Sequence, residues 1–142
     1  MKRDWDLLRE QLLAIEEDRD FKTVVLAAVP EELTWQDGQS EADFLKLKVE
    51  QKNIEERIFG HLEMLVNNGY LEGVKIVRMN SDFGYSLSHP RLTMAGHDLL
   101  DTMRSEPVWE KIKSTAKTKG IELTFDAIKS LAALALKSLL GG

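Results

Sequence analysis

Cysteine is absent from the 142 residues of this chain, and long apolar runs are absent as well. Without thiols the protein has no disulfide scaffold, no thiolate zinc site and no thiol nucleophile, and it fits a reducing compartment. No apolar run approaches the ~20 residues that a membrane span needs. Charged residues interrupt the opening MKRDWDLLRE, so we do not expect a signal peptide. These absences predict a cytoplasmic protein without a membrane partner, and the length suggests one domain.

Catalytic and phosphate-binding motifs are also missing. The sequence contains no Gly-x-Ser-x-Gly, no Walker loop and no Gly-x-Gly-x-x-Gly. His97, Asp98 and Asp101 form the one cluster with metal-binding chemistry, because they fall at neighbouring positions of a predicted helix. Two or three such ligands, with no second histidine at a helical step, make a poor site. We therefore predict no enzyme activity, no metal and no cofactor.

Acidic residues outnumber basic ones, and the net charge of −5 is concentrated in the first half of the chain. Residues 106–142 have a positive balance, and all six of their cations are lysine. Because DNA affinity depends on Lys and Arg, an acidic first half is not typical of a phosphate-binding surface. Two interpretations remain open. The acids could form solvated faces that keep the protein soluble, or a surface made for a basic partner.

The start of the chain indicates one amphipathic helix. Asp4 can cap this helix, because its side chain can accept from the free amides of the first turn. The apolar residues at helical spacing are Trp5, Leu8, Leu12 and Ile15. Residues 24–29 are continuously apolar, and they could form a short buried strand or a helical turn.

The middle of the chain indicates a strand followed by a helix. Leu45, Leu47 and Val49 alternate with charged residues, which predicts a half-buried strand. Asn53 then offers a cap for the clearest helix of the chain, over residues 53–68. Gly69 stands where this helix would end in a left-handed conformation.

Residues 71–92 are typical of a β-hairpin. Residues 80–84 supply a turn of Asn, Asp and Gly between two arms that contain β-branched and aromatic residues. Pro90 should end the pairing, because proline has no backbone N–H to donate. Thr93 can then cap the next helix. The inward residues of that helix are predicted to be Met94, Leu99, Leu100 and Met103.

Two more helices are predicted at the end of the chain. Pro107 suits the first turn of one, and Gly120 ends it. Its inward residues are Trp109, Ile112 and Ala116. Thr124 caps the last helix, whose apolar side chains cover more than half of its circumference. Such a helix is either enclosed within the fold or shared with a second chain. The candidate dimer-interface residues are Phe125, Ile128, Leu131, Leu136 and Leu139.

The order helix, strand, helix, hairpin, helix is that of a winged helix. We therefore predict an α+β fold, mostly α, with a winged helix-turn-helix-like core, a β-hairpin wing and additional C-terminal helices. Residues 1–105 would form the core. Residues 106–142 would form a helical extension that packs on the core or makes a dimer interface.

Several sequence blocks resemble a known family. They are MKRDWDLLREQLLAIEE (1–17), IFGHLEML (58–65), NGYL (68–71), RLTMAGHDLLD (91–101), VWEKIK (108–113) and LTFDAIK (123–129). Together they resemble domain of unknown function 2513, an uncharacterised family of bacteria and prophages. The likeness covers residues 1–17 and 45–140, and residues 18–44 look like an insertion. The resemblance implies a phage or prophage origin and a winged-helix-like fold, and it brings no catalytic residue.

A winged helix would present the 53–68 helix and the 71–92 wing to DNA. The residues that could contact DNA are Lys52, Asn53, Arg57, His61, Lys75, Arg78 and Arg91. The same region contains an acidic face, whose carboxylates would repel phosphates. Its members are Glu50, Glu55, Glu56 and Glu63. One of the DNA candidates, His61, falls beside apolar positions, where a buried histidine bonded to backbone is the more frequent role.

The leading interpretation is a non-catalytic winged-helix protein of phage or prophage origin that acts as a protein-interaction or regulatory module. Its partner would be an unidentified host or phage protein that meets the acidic face, and the last helix also suggests a homodimer. The alternative is a DNA-binding transcriptional regulator that uses the 53–68 helix and the wing. Winged helices serve both purposes, so the fold alone does not decide between them.

Overall fold

The computed structural model describes residues 2–21, 35–80 and 82–140 of the chain. Within these ranges it confirms a mostly helical α+β fold with one antiparallel hairpin. The apolar segment 24–29 lies outside the described residues, as does much of the expected insertion at 18–44. The described elements are α1 (Trp5–Glu16), α2 (Glu41–Asn67), β1 (Leu71–Arg78), β2 (Phe83–Leu92), α3 (Met94–Met103), α4 (Glu106–Lys119) and α5 (Phe125–Leu139).

The first helix, α1, begins where the sequence predicts. The Asp4 side chain accepts a hydrogen bond from the backbone N–H of Leu7 (3.0 Å), which satisfies one of the free amides of the first turn. The ring of Trp5 packs edge-on against Phe125, with 4.9 Å between the ring centres. The buried members of the predicted stripe are Leu8, Leu12 and Ile15.

The strand predicted at residues 45–49 is wrong, because this segment belongs to the long helix α2. The Ser40 side chain caps α2 by accepting from the backbone N–H of Asp43 (3.1 Å). Asn53 is therefore an interior residue of the helix and not its cap. Leu, Lys and Glu are good helix formers, and this outweighs a two-residue period that spans only three apolar positions.

The other end of α2 follows the prediction. Gly69 has a φ of +78°, the left-handed conformation that glycine adopts at little cost. The next amide, that of Tyr70, donates to the carbonyl of Leu65 (2.8 Å), and the amide of Gly69 donates to the carbonyl of Val66 (3.0 Å). This pair of bonds satisfies carbonyl groups at the end of the helix and directs the chain into β1.

The hairpin over 71–92 is confirmed, but Pro90 does not end its pairing. The register shifts after Glu72, and pairing resumes beyond Pro90, where Arg91 lies opposite Glu72. Proline is tolerated here because the bulge does not require its missing N–H. Gly73 makes the bulge possible, since a Cβ at this position would lie 2.4 Å from the carbonyl oxygen of Ser88.

Helix α3 is capped as predicted, since the Thr93 side chain accepts from the backbone N–H of Gly96 (3.0 Å). Leu99, Leu100 and Met103 are buried. Met94 is an exception to the predicted inward face, because its side chain is 80% exposed. Met94 is the first residue of the helix. The helix first comes close to the rest of the protein at Gly96, which lies against the backbone of Tyr70.

Helices α4 and α5 also match the sequence signals. Proline stands in the first turn of α4, and Gly120 ends it with a φ of +66°. Trp109, Ile112 and Ala116 are buried, as predicted. The Thr124 side chain caps α5 by accepting from Ala127 N–H (3.0 Å). One side of α5 is internal to the fold, and its buried residues are Ile128, Leu131, Ala132 and Ala135.

Candidate interaction surface

His61 lies inside the core with no exposed surface, so it is not available to DNA in this fold. Its Nδ1 donates to the carbonyl oxygen of Arg57 (2.6 Å), and its Nε2 accepts from the backbone N–H of Asp4 (2.7 Å). This pair of contacts requires the neutral ring with the proton on Nδ1. Burial lowers the pKa of His61 and favours the same neutral form. The histidine is therefore a structural link between α1 and α2.

Arg57, a second DNA candidate, forms an ion pair with Asp4. Burial raises the pKa of the Asp4 carboxyl, but hydrogen bonds from the Arg57 guanidinium and the Leu7 amide outweigh it. The pKa of Asp4 therefore lies below its ordinary value, and the carboxylate stays charged at neutral pH. Asp4 thus caps α1 and neutralises a cation of α2 at the same time.

Arg78, near the tip of the hairpin, is bound by two carboxylates of α2. Its Nη2 lies 2.9 Å from Glu63 Oε1, and its Nη1 lies 3.0 Å from Glu56 Oε1. The guanidinium also stands over the ring of Phe83, 5.0 Å from its centre. Phe83 in turn stacks on the buried ring of Phe59 at 5.2 Å. The tip of the hairpin is therefore fixed along α2 by both charge and aromatic packing.

The remaining DNA candidates divide into paired and unpaired groups. Arg91 forms an ion pair with Glu72 across the hairpin (3.0 Å). The side chains of Lys52, Asn53 and Lys75 are exposed, and no hydrogen bond or ion pair holds them within the described part of the chain. The structure thus leaves three of the seven predicted side chains free to meet a phosphate.

The predicted acidic face is divided in the same way. Glu56 and Glu63 are occupied by Arg78, and they are not free for a basic partner. Glu55 is partly buried, and burial together with the nearby carboxylate of Asp82 raises its pKa. Glu50 is exposed. One predicted cation, Arg78, therefore neutralises two of the four carboxylates of the predicted acidic face.

Sequence reasoning missed a second group of charges, which joins α1 to α3. The Arg9 Nε donates to the carbonyl oxygen of Met103 (2.7 Å), at the end of α3 where helix carbonyls lack partners. Glu16 binds the guanidinium of Arg104 with both oxygens, at 2.5 Å each. These partners are separated by about 90 residues of sequence, and no local pattern announces such a pair.

Two members of the His97 cluster, His97 and Asp101, belong to this same group of charges. Arg104 also binds Asp101 (3.2 Å), and His97 Nδ1 lies 3.5 Å from Glu16. Within residues 2–21, 35–80 and 82–140, no three carboxylate or histidine side chains come together as a set of metal ligands. Asp101 and Glu16 both bind the guanidinium of Arg104.

Asp6 joins α1 to α4. One of its carboxylate oxygens accepts from the indole Nε1 of Trp109 (2.8 Å) and from Lys113 Nζ (3.0 Å). The hydrogen bond from the buried indole is the main reason why the pKa of Asp6 lies below its ordinary value. This arrangement satisfies the only polar group of the largest fully buried side chain.

A cleft of about 270 Å³ opens between the end of α1 and the bulged part of β2. Two residues that line it have a positive φ, namely Asp18 (+52°) and His89 (+56°). The first follows from the helix end, where the amide of Arg19 returns to the carbonyl of Ala14 (3.1 Å). The second lies in the bulge that Gly73 permits. Both conformations therefore have a structural origin.

Large apolar side chains are exposed on several elements, and two helices each carry a group of them. On α2 they are Leu45, Leu47, Val49 and Ile54, all in the part of the helix before the buried residues begin. On α5 and just after it they are Leu134, Leu136, Leu139 and Leu140. Of the predicted dimer residues, Ile128 and Leu131 lie in the protein's own core and Phe125 is partly buried. Only Leu136 and Leu139 remain available to a second chain.

Comparison with known proteins gives a family but no activity. The model of the hypothetical protein family DUF2513 matches residues 2–122. The chain belongs to this family. An uncharacterized protein of Haemophilus influenzae is 31% identical over 140 residues, which cover 99% of this chain and 99% of that protein. No solved structure matches the chain. Within the described ranges, no helix combines the length and the hydropathy that crossing a membrane requires.

Proposed function

We propose that this protein is a non-catalytic, winged-helix-like module of phage or prophage origin that regulates another protein in the cytoplasm through direct contact. The observation that carries the proposal is the pairing of the arginines in the region that a winged helix presents to DNA. Arg57, Arg78 and Arg91 each bind a carboxylate of the same molecule. The family assignment and the order of α2, hairpin and α3 support the winged-helix comparison.

The pairing of Arg78 is the most informative of these contacts. Two carboxylates hold its guanidinium, so a phosphate would have to replace both while those carboxylates remained close by. Binding to DNA gains free energy when cations release the counterions of phosphates, and a cation already neutralised contributes little. The net charge of −5 adds a general repulsion. A protein partner that presents apolar groups therefore fits this molecule better than DNA does.

The second candidate is a DNA-binding regulator, and one observation favours it. Lys52, Asn53 and Lys75 are exposed without intramolecular partners in the described ranges, and they lie on α2 and the hairpin. A lysine can neutralise a phosphate and an asparagine can read an adenine edge. Three such groups form a small contact set compared with the 6–10 phosphate contacts of a strongly salt-dependent binder.

A binding titration separates the two functions. We would follow the fluorescence anisotropy of a labelled mixed-sequence duplex of about 30 base pairs at about 50 mM and 200 mM salt, because non-specific DNA affinity falls steeply over that interval. The proposed function predicts no saturable binding at either salt concentration. Binding at low salt that weakens strongly at high salt would contradict it and support the DNA-binding alternative.

Two variants make the titration more specific. If the duplex binds through α2 and the hairpin, the double variant Lys52→Ala, Lys75→Ala should weaken binding and reduce its salt dependence. A matched double variant, Lys117→Ala, Lys119→Ala, removes the same charge from the end of α4. An equal loss in both variants would indicate a general charge effect and not a DNA-binding surface.

A further inference from the structure

Two exposed apolar patches stand out because each continues a stripe that is buried elsewhere on the same helix. The α2 patch consists of Leu47 and Ile54, which are 42% and 40% exposed. The α5 patch consists of Leu136, Leu139 and Leu140, which are 49%, 50% and 83% exposed. Large contiguous apolar patches on soluble proteins commonly mark interaction sites, so we consider both patches as candidate contact surfaces.

The α2 patch lies on a part of the helix that extends away from the core. None of residues 41–57 is buried, and at about 1.5 Å per residue this stretch is roughly 25 Å long. Ile54 is four residues before the buried Ile58, so both lie on the same face of the helix. Leu47 is seven residues before Ile54 and continues that face. The side of α2 that packs inside the protein is therefore open at this end.

The α5 patch has a similar origin. Leu139 is four residues after the buried Ala135 and continues the buried side of the helix. Leu136 and Leu140 lie beside it, at three residues before and one after, and they are four residues from each other. Leu134 is also exposed, at 54%, but its position two residues before Leu136 places it on a different side of the helix.

The charges beside the two patches have opposite signs. Asp43 is four residues before Leu47, and Glu50 lies between the two members of the α2 patch at helical spacing. Lys137 is three residues before Leu140, and Lys129 is two turns before Leu136. All four charged side chains are exposed, and none forms an ion pair within the described part of the chain. These acids and lysines are thus available to another molecule.

We propose that the α2 patch of one copy packs on the α5 patch of a second copy, so that a twofold dimer contains this contact twice. Leu47 and Ile54 would meet the terminal leucines, and Glu50 would lie beside Lys137 of the second copy. Pairing α5 with α5 would instead bring lysines together, and an antiparallel pair of α2 helices would bring acids together. The dimer goes beyond the proposed function. It does not depend on whether the molecule that the protein regulates is a protein or DNA.

The first test is the molar mass of the purified full chain by sedimentation equilibrium from about 1 µM to 100 µM, a range that captures micromolar dissociation constants. We expect a dimer whose dissociation constant rises at least tenfold in Leu47→Asp and in Leu136→Asp. Val49→Asp and Leu134→Asp are the matched controls, because they place the same charge outside the patches at positions that are at least as exposed. A monomer at every concentration in the wild type would overturn the proposal, and so would an equal loss in the controls.

The second test asks which patch meets which. Glu50→Lys and Lys137→Glu should each weaken the dimer by about tenfold, because each single change creates two like-charge contacts in a twofold dimer. The double variant restores opposite charges and should return the dissociation constant to near the wild-type value. If the double variant dimerised as weakly as the single variants, Glu50 would not lie beside Lys137 of the second copy and the cross-pairing would be refuted. Far-ultraviolet circular dichroism of each variant verifies that the helices are intact.

Discussion

The contact between α1 and α2 should make the stability of the protein sensitive to acid, and replacement of His61 by phenylalanine should remove this sensitivity. His61 is completely buried, and its two ring nitrogens bond the backbone of Arg57 and of Asp4. Phenylalanine keeps a ring of similar size but makes neither bond. The amide of Asp4 then loses its acceptor, and an unpaired buried donor costs about 1–3 kcal/mol. His61→Ala adds a cavity and should cost roughly 3–5 kcal/mol in all.

The dependence on pH follows from the direction of the pKa shift. Burial lowers the pKa of His61 in the folded protein. Below about pH 6.5, the ordinary pKa of histidine, the unfolded chain therefore binds a proton at His61 more readily than the folded protein does. The stability is therefore complete above pH 6.5 and decreases as the pH falls toward the folded-state pKa. For a single group of this kind the slope cannot exceed about 1.4 kcal/mol per pH unit. Asp4 titrates in a separate interval, below about pH 4, because its folded-state pKa is also lowered.

Urea unfolding followed by circular dichroism at pH 7.5, 6.5 and 5.5 measures this dependence. Wild type should lose stability between pH 6.5 and pH 5.5, and His61→Phe should lose less over the same interval. The control is His89→Asn, at an exposed position whose φ of +56° asparagine tolerates. If His61→Phe kept the full acid loss, or if wild type were equally stable at all three values, the assigned contacts of His61 would be refuted.

Three further substitutions test other contacts through the free energy of unfolding. Gly96→Ala should destabilise by about 1–3 kcal/mol, because the new Cβ would lie 2.1 Å from the carbonyl oxygen of Tyr70; an unchanged midpoint would contradict this packing. Asp6→Ala should cost about 1–3 kcal/mol, since it leaves the buried indole of Trp109 without an acceptor; a loss below 0.5 kcal/mol would contradict it. Arg78→Ala should cost under about 1 kcal/mol, because this ion pair is half exposed; a loss above 2 kcal/mol would assign the hairpin tip a larger role.

Local signals in the sequence were reliable wherever a single residue decides a backbone conformation. Asp4, Thr93 and Thr124 cap the helices for which the sequence proposes them, and Gly120 ends α4. Each of these rules depends on atoms within four residues, so the sequence contains all the information that is needed. The buried stripes of α1, α3 and α4 followed for the same reason, because helical spacing is also a local property.

Residues 45–49 mark the limit of that approach. Their alternation satisfies the pattern of a strand, yet a strand requires a partner and the described residues offer it none. Leu47 satisfies helical spacing with Ile54 equally well, and the intrinsic preferences of Leu, Lys and Glu favour the helix. The error mattered for function, because a strand would have hidden half of these side chains. The helix instead exposes Leu47 beside Glu50, which is the surface on which the dimer proposal depends.

The sequence predicted the fold better than it predicted the interaction residues. The charge that a surface presents depends on which side chains pair with one another, and not on the residue types alone. Arg78 and Glu63 support opposite hypotheses in the sequence, yet in the structure they neutralise each other at 2.9 Å. Their separation of 15 positions spans a helix end and a strand, so no helical or strand periodicity relates them. The net charge of the chain therefore predicts only in part which charges are available to a partner. What a partner meets is the charge left after intramolecular pairing, which on α2 is concentrated at the exposed end that holds Glu50 and Lys52.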